Sequence, residues 1–166
     1  MALHKEQRVG VFVDVQNMYY SAKHLYKARV NFAEILKEAA AGRKLIRAIA
    51  YVVKAEETDM SFFEALKNIG FELKIKELQI FYGGNKKGDW DVGVCMDAIE
   101  MGNKLDVIVL VSGDGDYADL VEHLKRAMGC RVEVLAFGRS ASSKLKEAAH
   151  EFVDMDKNYK KYLLKR

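Results

Sequence analysis

The chain has 166 residues, of which 50% are hydrophobic and 31% are charged, and its formal net charge is +3. This composition is typical of one globular domain and excludes a membrane protein, because no apolar run reaches the roughly 18 residues that a membrane helix needs. The polar start MALHKEQR lacks the apolar core of a signal peptide, so we expect a cytoplasmic protein with no membrane partner.

The first half of the chain alternates between short apolar runs and stretches of helical periodicity. In chain order these predict a strand at 9–13, helices at 16–27 and 31–41, a strand at 45–53, a helix at 59–69 and a strand at 71–78. Gly42 and Gly70 mark the ends of two of these helices. The polar segment GGNKKG at 83–88 is predicted as a loop.

The second half continues the same alternation. It predicts a helix from Asp89, its candidate cap, to Gly102, then a strand at 106–111, a helix at 117–128, a strand at 131–137, and helices at 141–149 and 156–164 around the short segment FVDM. Strands that are apolar throughout and separated by helices are typical of a mostly parallel sheet with both faces covered. We therefore predict an α/β fold, a three-layer α/β/α sandwich, with residues 1–166 in one domain.

Several common kinds of site are excluded by their spacing. Cys95 and Cys130 lie in apolar surroundings, where reduced core cysteines are favoured over a disulfide. The four histidines show no zinc-ligand spacing. Gly83 and Gly88 have the spacing of a P-loop, but Asp89 and the tryptophan after it replace the required Lys-Ser/Thr.

Carboxylates follow two of the predicted strands. Asp14 ends the first strand, and Asp114 and Asp116 follow the strand at 106–111. Helix capping would explain each acid alone. If the two strands are neighbours about 4.8 Å apart in a parallel sheet, however, all three carboxylates meet at one edge, within reach of one cation. Oxygen ligands of this kind suit Mg²⁺ or Mn²⁺.

The helix in DWDVGVCMDAIEMG offers two more acids. Asp91 heads an otherwise apolar stripe that should face the sheet, although a first-turn acid is also favoured by the helix dipole alone. Asp97 lies on a second, partly apolar stripe and needs a partner there. Asp97 could support the metal ligands without binding the metal itself, or it could serve only in helix packing.

Within residues 9–154, three segments carry motifs of a known family. They are FVDVQNMYYSAK, KKGDWDVGVCMDA and VLVSGDGDYADLVEHLKRAMGCRVEV. Together they resemble the NYN domain family, the LabA-like (DUF88) branch of the PIN-like nucleases. The family pattern is an Asp followed three residues later by Asn, then Lys-Gly-x-x-Asp on a helix, then Ser-Gly-Asp-x-Asp. The matching positions are Asp14, Asn17, Lys87, Gly88, Asp91, Asp97, Ser112, Gly113, Asp114 and Asp116. Gly115 departs from the serine that is common between the last two acids.

The resemblance implies a PIN-like sheet with strand order near 3-2-1-4-5, in which the strand of Asp14 lies beside that of Asp114. It also implies a metal-dependent ribonuclease, which we predict to be an endoribonuclease that acts on RNA with Mg²⁺ or Mn²⁺. The predicted catalytic and metal-binding residues are Asp14, Asp91, Asp114 and Asp116, with Asp97 behind them. The predicted substrate-binding residues are Asn17, Ser112, Lys87 and Arg139, with Lys86 and Lys144 close by.

Other interpretations remain open at this point. The same fold could serve as an RNA-binding or regulatory module with little or no turnover, and it could form homo-oligomers. A TOPRIM-like site is disfavoured, since it expects glutamate where Asp14 stands. Tyr19, Tyr20 and Trp90 could stack on bases or belong to the core. The basic segment of about 156–166 could contact a polyanion or form a solvated terminal helix.

Overall fold

The computed structural model describes residues 4–55, 59–80, 82 and 86–165, with the backbone alone at 79–80 and 86–87. Within these ranges the strands are β1 (Arg8–Asp14), β2 (Lys44–Lys54), β3 (Glu72–Glu77), β4 (Gln79–Ile80), β5 (Lys86–Lys87), β6 (Val107–Val111), β7 (Arg131–Ala136) and β8 (Glu151–Asp154). Six of them form one parallel sheet in the order β3-β2-β1-β6-β7-β8, and β4 pairs with β5 in a separate antiparallel hairpin.

Helices cover both faces of this sheet. They are α1 (Val15–Tyr26), α2 (Phe32–Ala40), α3 (Met60–Ile69), α4 (Asp91–Gly102), α5 (Ala118–Arg126), α6 (Ser143–Ala148) and α7 (Tyr159–Tyr162) in the described residues. The core residues of α1, α2, α3 and α7 join one hydrophobic cluster, and those of α4, α5 and α6 join the other. The predicted three-layer α/β/α sandwich is confirmed. None of the helices that the structure describes is long and apolar enough to span a membrane.

The central strands are apolar throughout because both of their faces are buried. In β1, Val11 and Val13 pack into the first cluster while Phe12, between them, packs into the second. In β6, Val109 and Ile108 divide in the same way between the two clusters. Successive side chains of a strand point to opposite faces, so a central strand covered on both faces needs an unbroken apolar run.

The end of the chain differs from the prediction. The segment expected only to separate two helices forms β8, a sixth parallel strand beside β7. The predicted helix at 156–164 is also wrong in extent, since a 3₁₀ turn at Met155–Asn158 leads into the single helical turn of α7. The chain then extends, and Leu163 pairs with Val30. Tyr162 is buried in the first cluster and Leu163 packs against it, so tertiary packing overrides the helical pattern.

Two local predictions also need correction. Lys86 and Lys87, assigned to a loop, form β5, while residues 83–85 lie outside the described part of the chain. The helix expected to begin at Tyr117 is preceded by a 3₁₀ turn at Gly115–Tyr117. The cap of that turn is Asp114 and not Asp116, because the Asp116 N–H donates to Asp114 Oδ1 at 2.9 Å. Both cysteines are free thiols, as predicted.

Candidate metal centre

Two carboxylates reach one edge of the sheet because their strands are neighbours. β1 and β6 pair in parallel, with Val13 opposite Val111, so the two strands end at the same level. Asp14 is the last residue of β1, and Asp114 follows shortly after the end of β6. The order that makes these strands adjacent is the predicted 3-2-1-4-5, extended by β8.

The third carboxylate comes from α4, whose first residue is Asp91. One oxygen of Asp91, one of Asp14 and one of Asp114 all lie within 4.8 Å of one another, and the three side chains are half-buried. We call these three residues the carboxylate cluster. Its donor atoms are all carboxylate oxygens, which fit a hard cation such as Mg²⁺ or Mn²⁺ better than zinc.

Asp14 has a different role for each of its two oxygens. Its Oδ1 accepts the N–H of Asn17 at 3.2 Å and so caps α1. Its Oδ2 accepts the hydroxyls of Ser112 and Tyr117, each at 3.3 Å. The sequence offered helix capping and membership of the cluster as alternative roles for Asp14. In the structure the same side chain has both. These bonds fix the orientation of Asp14 before any cation binds.

Asn17 and Ser112 hold the end of β1 against the turn that follows β6. The Asn17 Oδ1 accepts the N–H of Gly113 at 2.9 Å. The Ser112 hydroxyl is buried and accepts the N–H of Asp114 at 3.1 Å while donating to Asp14. Both predicted substrate contacts thus bond within the site and position two members of the carboxylate cluster.

Burial and crowding make the cluster hard to charge. Burial raises the pKa of Asp14, the Asn17 N–H opposes that rise, and the charge of Asp114 adds to it. Burial and the charges of Asp114 and Asp89 raise the pKa of Asp91 to about 6. A neighbouring cation would reverse this preference, because an opposite charge at this range favours the ionised form.

Tyr117 is a member of the site that the sequence did not reveal. We predicted it only as the first residue of a helix, but it is fully buried beneath the carboxylates. Burial and the charges of Asp14 and Asp91 raise the pKa of its phenol, so the hydroxyl stays protonated and acts as a donor. A buried tyrosine needs a hydrogen-bond partner. The one available signal was an aromatic residue directly after the acidic motif.

Two predicted acids lie apart from the carboxylate cluster. The Asp116 side chain is exposed, and the cluster of described residues does not include it. Asp97 accepts the Tyr51 hydroxyl at 2.8 Å and the Lys74 ammonium at 2.6 Å. These bonds tie α4 to β2 and β3, which is the packing role left open for Asp97.

The predicted substrate-binding cations are only partly described. The backbone of Lys87 lies in β5, and its side chain and that of Lys86 fall outside the described atoms. The Arg139 side chain is 59% exposed and lies 3.6 Å from Asp156, while Lys144 is exposed and lies 3.9 Å from Asp119. Arg139 and Lys144 are therefore open to solvent, and each has an acidic partner; the Arg139 guanidinium also lies 5.2 Å from the centre of the Tyr26 ring.

The three aromatic candidates separate into two environments. Tyr19 is 46% exposed and Tyr20 is 57% exposed, on the outer face of α1. Trp90 instead packs edge-on against Tyr51, and its indole N–H donates to the Val52 carbonyl at 2.9 Å. Trp90 therefore belongs to the α4 packing, and the exposed rings are those of α1.

The raised pKa of Asp91 leads to a stability prediction in EDTA. Asp91 titrates near 6 in the fold and near 3.8 when unfolded, so the stability it contributes is present at low pH and is lost as pH rises through 6. Asp91→Asn removes this loss. We expect the variant to melt about 2–4 °C above the unsubstituted protein at pH 7, by about half as much at pH 5, and at nearly the same temperature below about pH 4; the difference at pH 7 corresponds to about 1 kcal/mol after solvent screening.

The measurement is a thermal melt of both proteins across this pH range. Asp119→Asn, at an acid whose side chain is 94% exposed, is the matched control and should show no such dependence. Adding Mn²⁺ should reverse the order, because the unsubstituted protein then gains stability by binding the cation. Equal melting temperatures at every pH would contradict the prediction.

Comparisons with known proteins place this geometry in context. A family model described as the NYN domain matches residues 8–156. The chain is 25% identical over 164 residues to the Low amplitude and bright protein LabA of Synechococcus elongatus, with 92% of this chain and 86% of LabA covered. It is 32% identical to a crystal structure of a protein of unknown function from Vibrio parahaemolyticus, with a TM-score of 0.88 and 99% and 100% of the two chains covered.

Proposed function

Because this chain belongs to the NYN domain family, of the PIN-like nucleases, we propose that it is a ribonuclease that hydrolyses RNA with Mg²⁺ or Mn²⁺ bound at the carboxylate cluster. One observation carries the proposal. Carboxylate oxygens from three separate segments of the chain, which the family motifs mark, lie within 4.8 Å of one another. Three like charges held this close lower stability, and a bound cation would offset that cost.

A divalent cation supplies a bound water of lowered pKa and neutralises charge that builds on the phosphate. The chain's own part is to hold that cation in a fixed place. Asp14, Asp91 and Asp114 provide the ligand oxygens. Ser112 and Tyr117 orient Asp14 through its Oδ2, and the Ser112 hydroxyl also accepts the Asp114 N–H. The rigid sheet edge limits the movement of all three ligands.

The predicted substrate-binding cations suit the recognition of an RNA backbone. We expect the exposed Arg139 guanidinium to contact a phosphate, with Lys87 in the same role from β5. Asp116, exposed beside the cluster, is proposed as an additional acid that acts on the cation or its water from outside the three ligands. Asp97 is proposed to support α4 and so the position of Asp91.

The test is the cleavage of a labelled single-stranded RNA by the purified protein. We expect cutting with Mn²⁺ or Mg²⁺ and no cutting with EDTA. The cuts should be internal, so that each cut leaves two RNA fragments, one from each side of the cleaved bond. An RNA with a 2′-deoxy substitution at the cleaved position separates this chemistry from a metal-free attack by the 2′-hydroxyl. Attack by a metal-bound water does not need that hydroxyl, so the substituted RNA should still be cut.

The outcomes separate the proposed nuclease from its rival. Failure to cut with every cation, combined with a Mn²⁺-dependent rise in melting temperature, would overturn the ribonuclease and favour an RNA-binding or regulatory module. Cutting that continues in EDTA would also contradict the proposal. Because cation binding is measured separately from cleavage, a loss of activity cannot be confused with a loss of the metal site.

A further inference from the structure

The cation-rich groove of this protein lies at the far end of α1, away from the carboxylate cluster. It encloses about 460 Å³ and is lined by basic and aromatic side chains that include Tyr19, Lys23, Lys27, Arg29 and Lys165. We call this groove the basic groove. The whole chain carries 27 basic and 24 acidic residues, so a local group of four cations is a marked concentration of charge.

The fold builds the basic groove from the two ends of the chain. The backbone at Val30 pairs with Leu163, and the Leu164 N–H donates to the Arg29 carbonyl at 2.8 Å. This pairing brings the basic C-terminal segment against the segment that follows α1, so Lys165 lines the same groove as Lys23. The cations of the groove are therefore held by backbone hydrogen bonds between distant segments.

Few acidic groups neutralise the basic groove. Lys23, Arg29 and Lys165 are exposed, and within the described ranges no carboxylate forms an ion pair with any of them. Lys161, on α7 nearby, is by contrast paired with Glu38 at 2.9 Å. Lys23, Arg29 and Lys165 thus line one groove as exposed cations with no ion pair in the described part of the chain, which is the usual electrostatic feature of a polyanion site.

Helix α1 runs between the carboxylate cluster and this groove. Asp14 is its N-cap, Tyr19 and Lys23 lie one turn apart on its exposed side, and Lys27 is its C-cap. We call Tyr19, Lys23 and Lys27 the α1 stripe. The Lys23 ammonium lies 5.7 Å from the centre of the Tyr19 ring. At a rise of 1.5 Å per residue, the thirteen steps from Asp14 to Lys27 span about 20 Å. That length corresponds to about six stacked nucleotides at 3.4 Å each.

We propose that the α1 stripe and the basic groove bind the backbone of single-stranded RNA on one side of the bond that is cut. The cations contact the phosphates, and the exposed Tyr19 and Tyr20 rings offer faces on which bases of any sequence stack. The inference rests on the proposed ribonuclease function, because α1, which carries the stripe, begins at Asp14 of the carboxylate cluster. A rigid duplex has its bases stacked internally and could not use the two rings.

The physical need for such a surface follows from the charge of the cluster itself. Without a cation, three carboxylates repel a phosphate backbone, so the cluster cannot supply affinity for RNA. Binding measured in EDTA therefore reports on the rest of the surface. It also separates this inference from the nuclease, since no cleavage takes place under that condition.

The experiment is fluorescence anisotropy with a labelled single-stranded RNA of about twelve nucleotides, twice the length of the stripe, in EDTA. The test variant combines Lys23→Gln, Arg29→Gln and Lys165→Gln. The control variant, Lys37→Gln, Lys67→Gln and Lys104→Gln, removes the same charge from exposed positions elsewhere. We expect the test variant to bind the RNA at least about tenfold more weakly. The slope of log Kobs plotted against log salt concentration should become shallower by about 2, and the control variant should change little in either respect.

Further arms test the ring faces and the length of the stripe. Tyr19→Ala should weaken binding with an unchanged salt slope, because it removes stacking and no charge. An RNA of about three nucleotides should show little difference between the test variant and the unsubstituted protein. A melting temperature within about 2 °C of the unsubstituted protein verifies that each variant is folded.

Several results would overturn the inference. Equal weakening by the test and control variants would mean that only net charge matters, and unchanged binding would mean that RNA lies elsewhere. Loss of binding to phosphatidylserine-containing vesicles, with RNA binding intact, would assign the groove to a membrane surface instead. If the test variant binds RNA more weakly but the unsubstituted protein never cuts RNA, the groove inference stands and the proposed nuclease function fails. If the unsubstituted protein cuts RNA and the test variant binds it normally, the nuclease function stands and the groove inference fails.

Discussion

Replacing Asp114 with asparagine is expected to lower metal-dependent RNA cleavage by about 10³-fold or more, with little effect on the fold. Charge stabilisation by a catalytic cation is worth several kcal/mol, and each 1.36 kcal/mol is a factor of ten in rate. Asparagine has the size of aspartate, and its side-chain oxygen can still accept the Asp116 N–H that now binds Asp114 Oδ1 at 2.9 Å. The change therefore removes the charge and keeps the cap.

Single-turnover cleavage and a Mn²⁺ thermal titration measure this prediction together. The variant should lose both the rate and most of the cation-dependent rise in melting temperature. Asp14→Asn and Asp91→Asn should behave similarly, since all three residues belong to the carboxylate cluster. In EDTA each variant should be at least as stable as the unsubstituted protein, because it removes one of three crowded charges.

Asp116→Asn serves as the matched comparison from the same turn. Its side chain is exposed and is not one of the three ligands of the cluster, so its auxiliary role predicts a loss of less than about tenfold in rate and nearly normal cation binding. An Asp114→Asn protein that cuts RNA at the normal rate would refute the assignment of this cluster as the active site. A larger loss of rate in Asp116→Asn than in Asp114→Asn would indicate that the cation binds closer to Asp116.

Replacing Arg43 with methionine is expected to lower the free energy of unfolding by about 3 kcal/mol, without changing the carboxylate cluster. The Arg43 guanidinium donates to both oxygens of Glu133, at 2.8 and 3.0 Å, and the two side chains are 1% and 7% exposed. The variant leaves Glu133 buried with Arg131 as its remaining partner. Removing one member of a buried pair leaves a charge that is poorly solvated.

The loss should depend on pH. Burial raises the pKa of Glu133, but the hydrogen bonds from Arg43 and Arg131 outweigh it and hold the pKa below the usual 4.5. The stability that Glu133 contributes is therefore present above pH 4.5. It is lost as the pH falls through the lowered pKa that Glu133 has in the folded protein. The difference between the variant and the unsubstituted protein should narrow below about pH 4.5, where protonation neutralises Glu133.

Urea denaturation of three variants measures this prediction. Arg47→Met breaks a pair with Glu72 whose side chains are 39% and 52% exposed, and this control should cost less than about 1 kcal/mol. The double variant Arg43→Met, Glu133→Leu should recover much of the loss, because no buried charge is then left unpaired. A loss at Arg43 no larger than that at Arg47 would refute the assignment of a buried, strongly coupled pair.

The sequence by itself determined the architecture and indicated all three of the clustered acids. Unbroken apolar runs such as that of β6 are needed only by strands with two buried faces, and helices between them leave a parallel sheet as the solution. In a parallel sheet the carboxyl ends of the strands meet at one edge. Asp14 and Asp114 could therefore be assigned to that edge, and the family resemblance supplied the strand order that makes them neighbours.

Only the tertiary structure decided which further side chains complete the site and which do not. Asp91, which its helix stripe and the family motif indicated, joins the cluster, whereas Asp116, which was predicted with it, is exposed and is not part of the cluster of described residues. The Tyr117 hydroxyl turns beneath Asp14, an outcome that depends on how the 3₁₀ turn packs. Sequence spacing places residues along one element, whereas the meeting of side chains from different elements depends on how those elements cross.

The same reason explains the features with no local signal. Arg43 and Glu133 are separated by 90 residues, and nothing in either neighbourhood indicates the other. The basic groove exists because the segment at Leu163 pairs with the segment at Val30, where the local pattern predicted a longer helix. Local sequence determines the periodicity and caps of each element, while long-range packing sets the partners of buried charges and the pairing of chain ends.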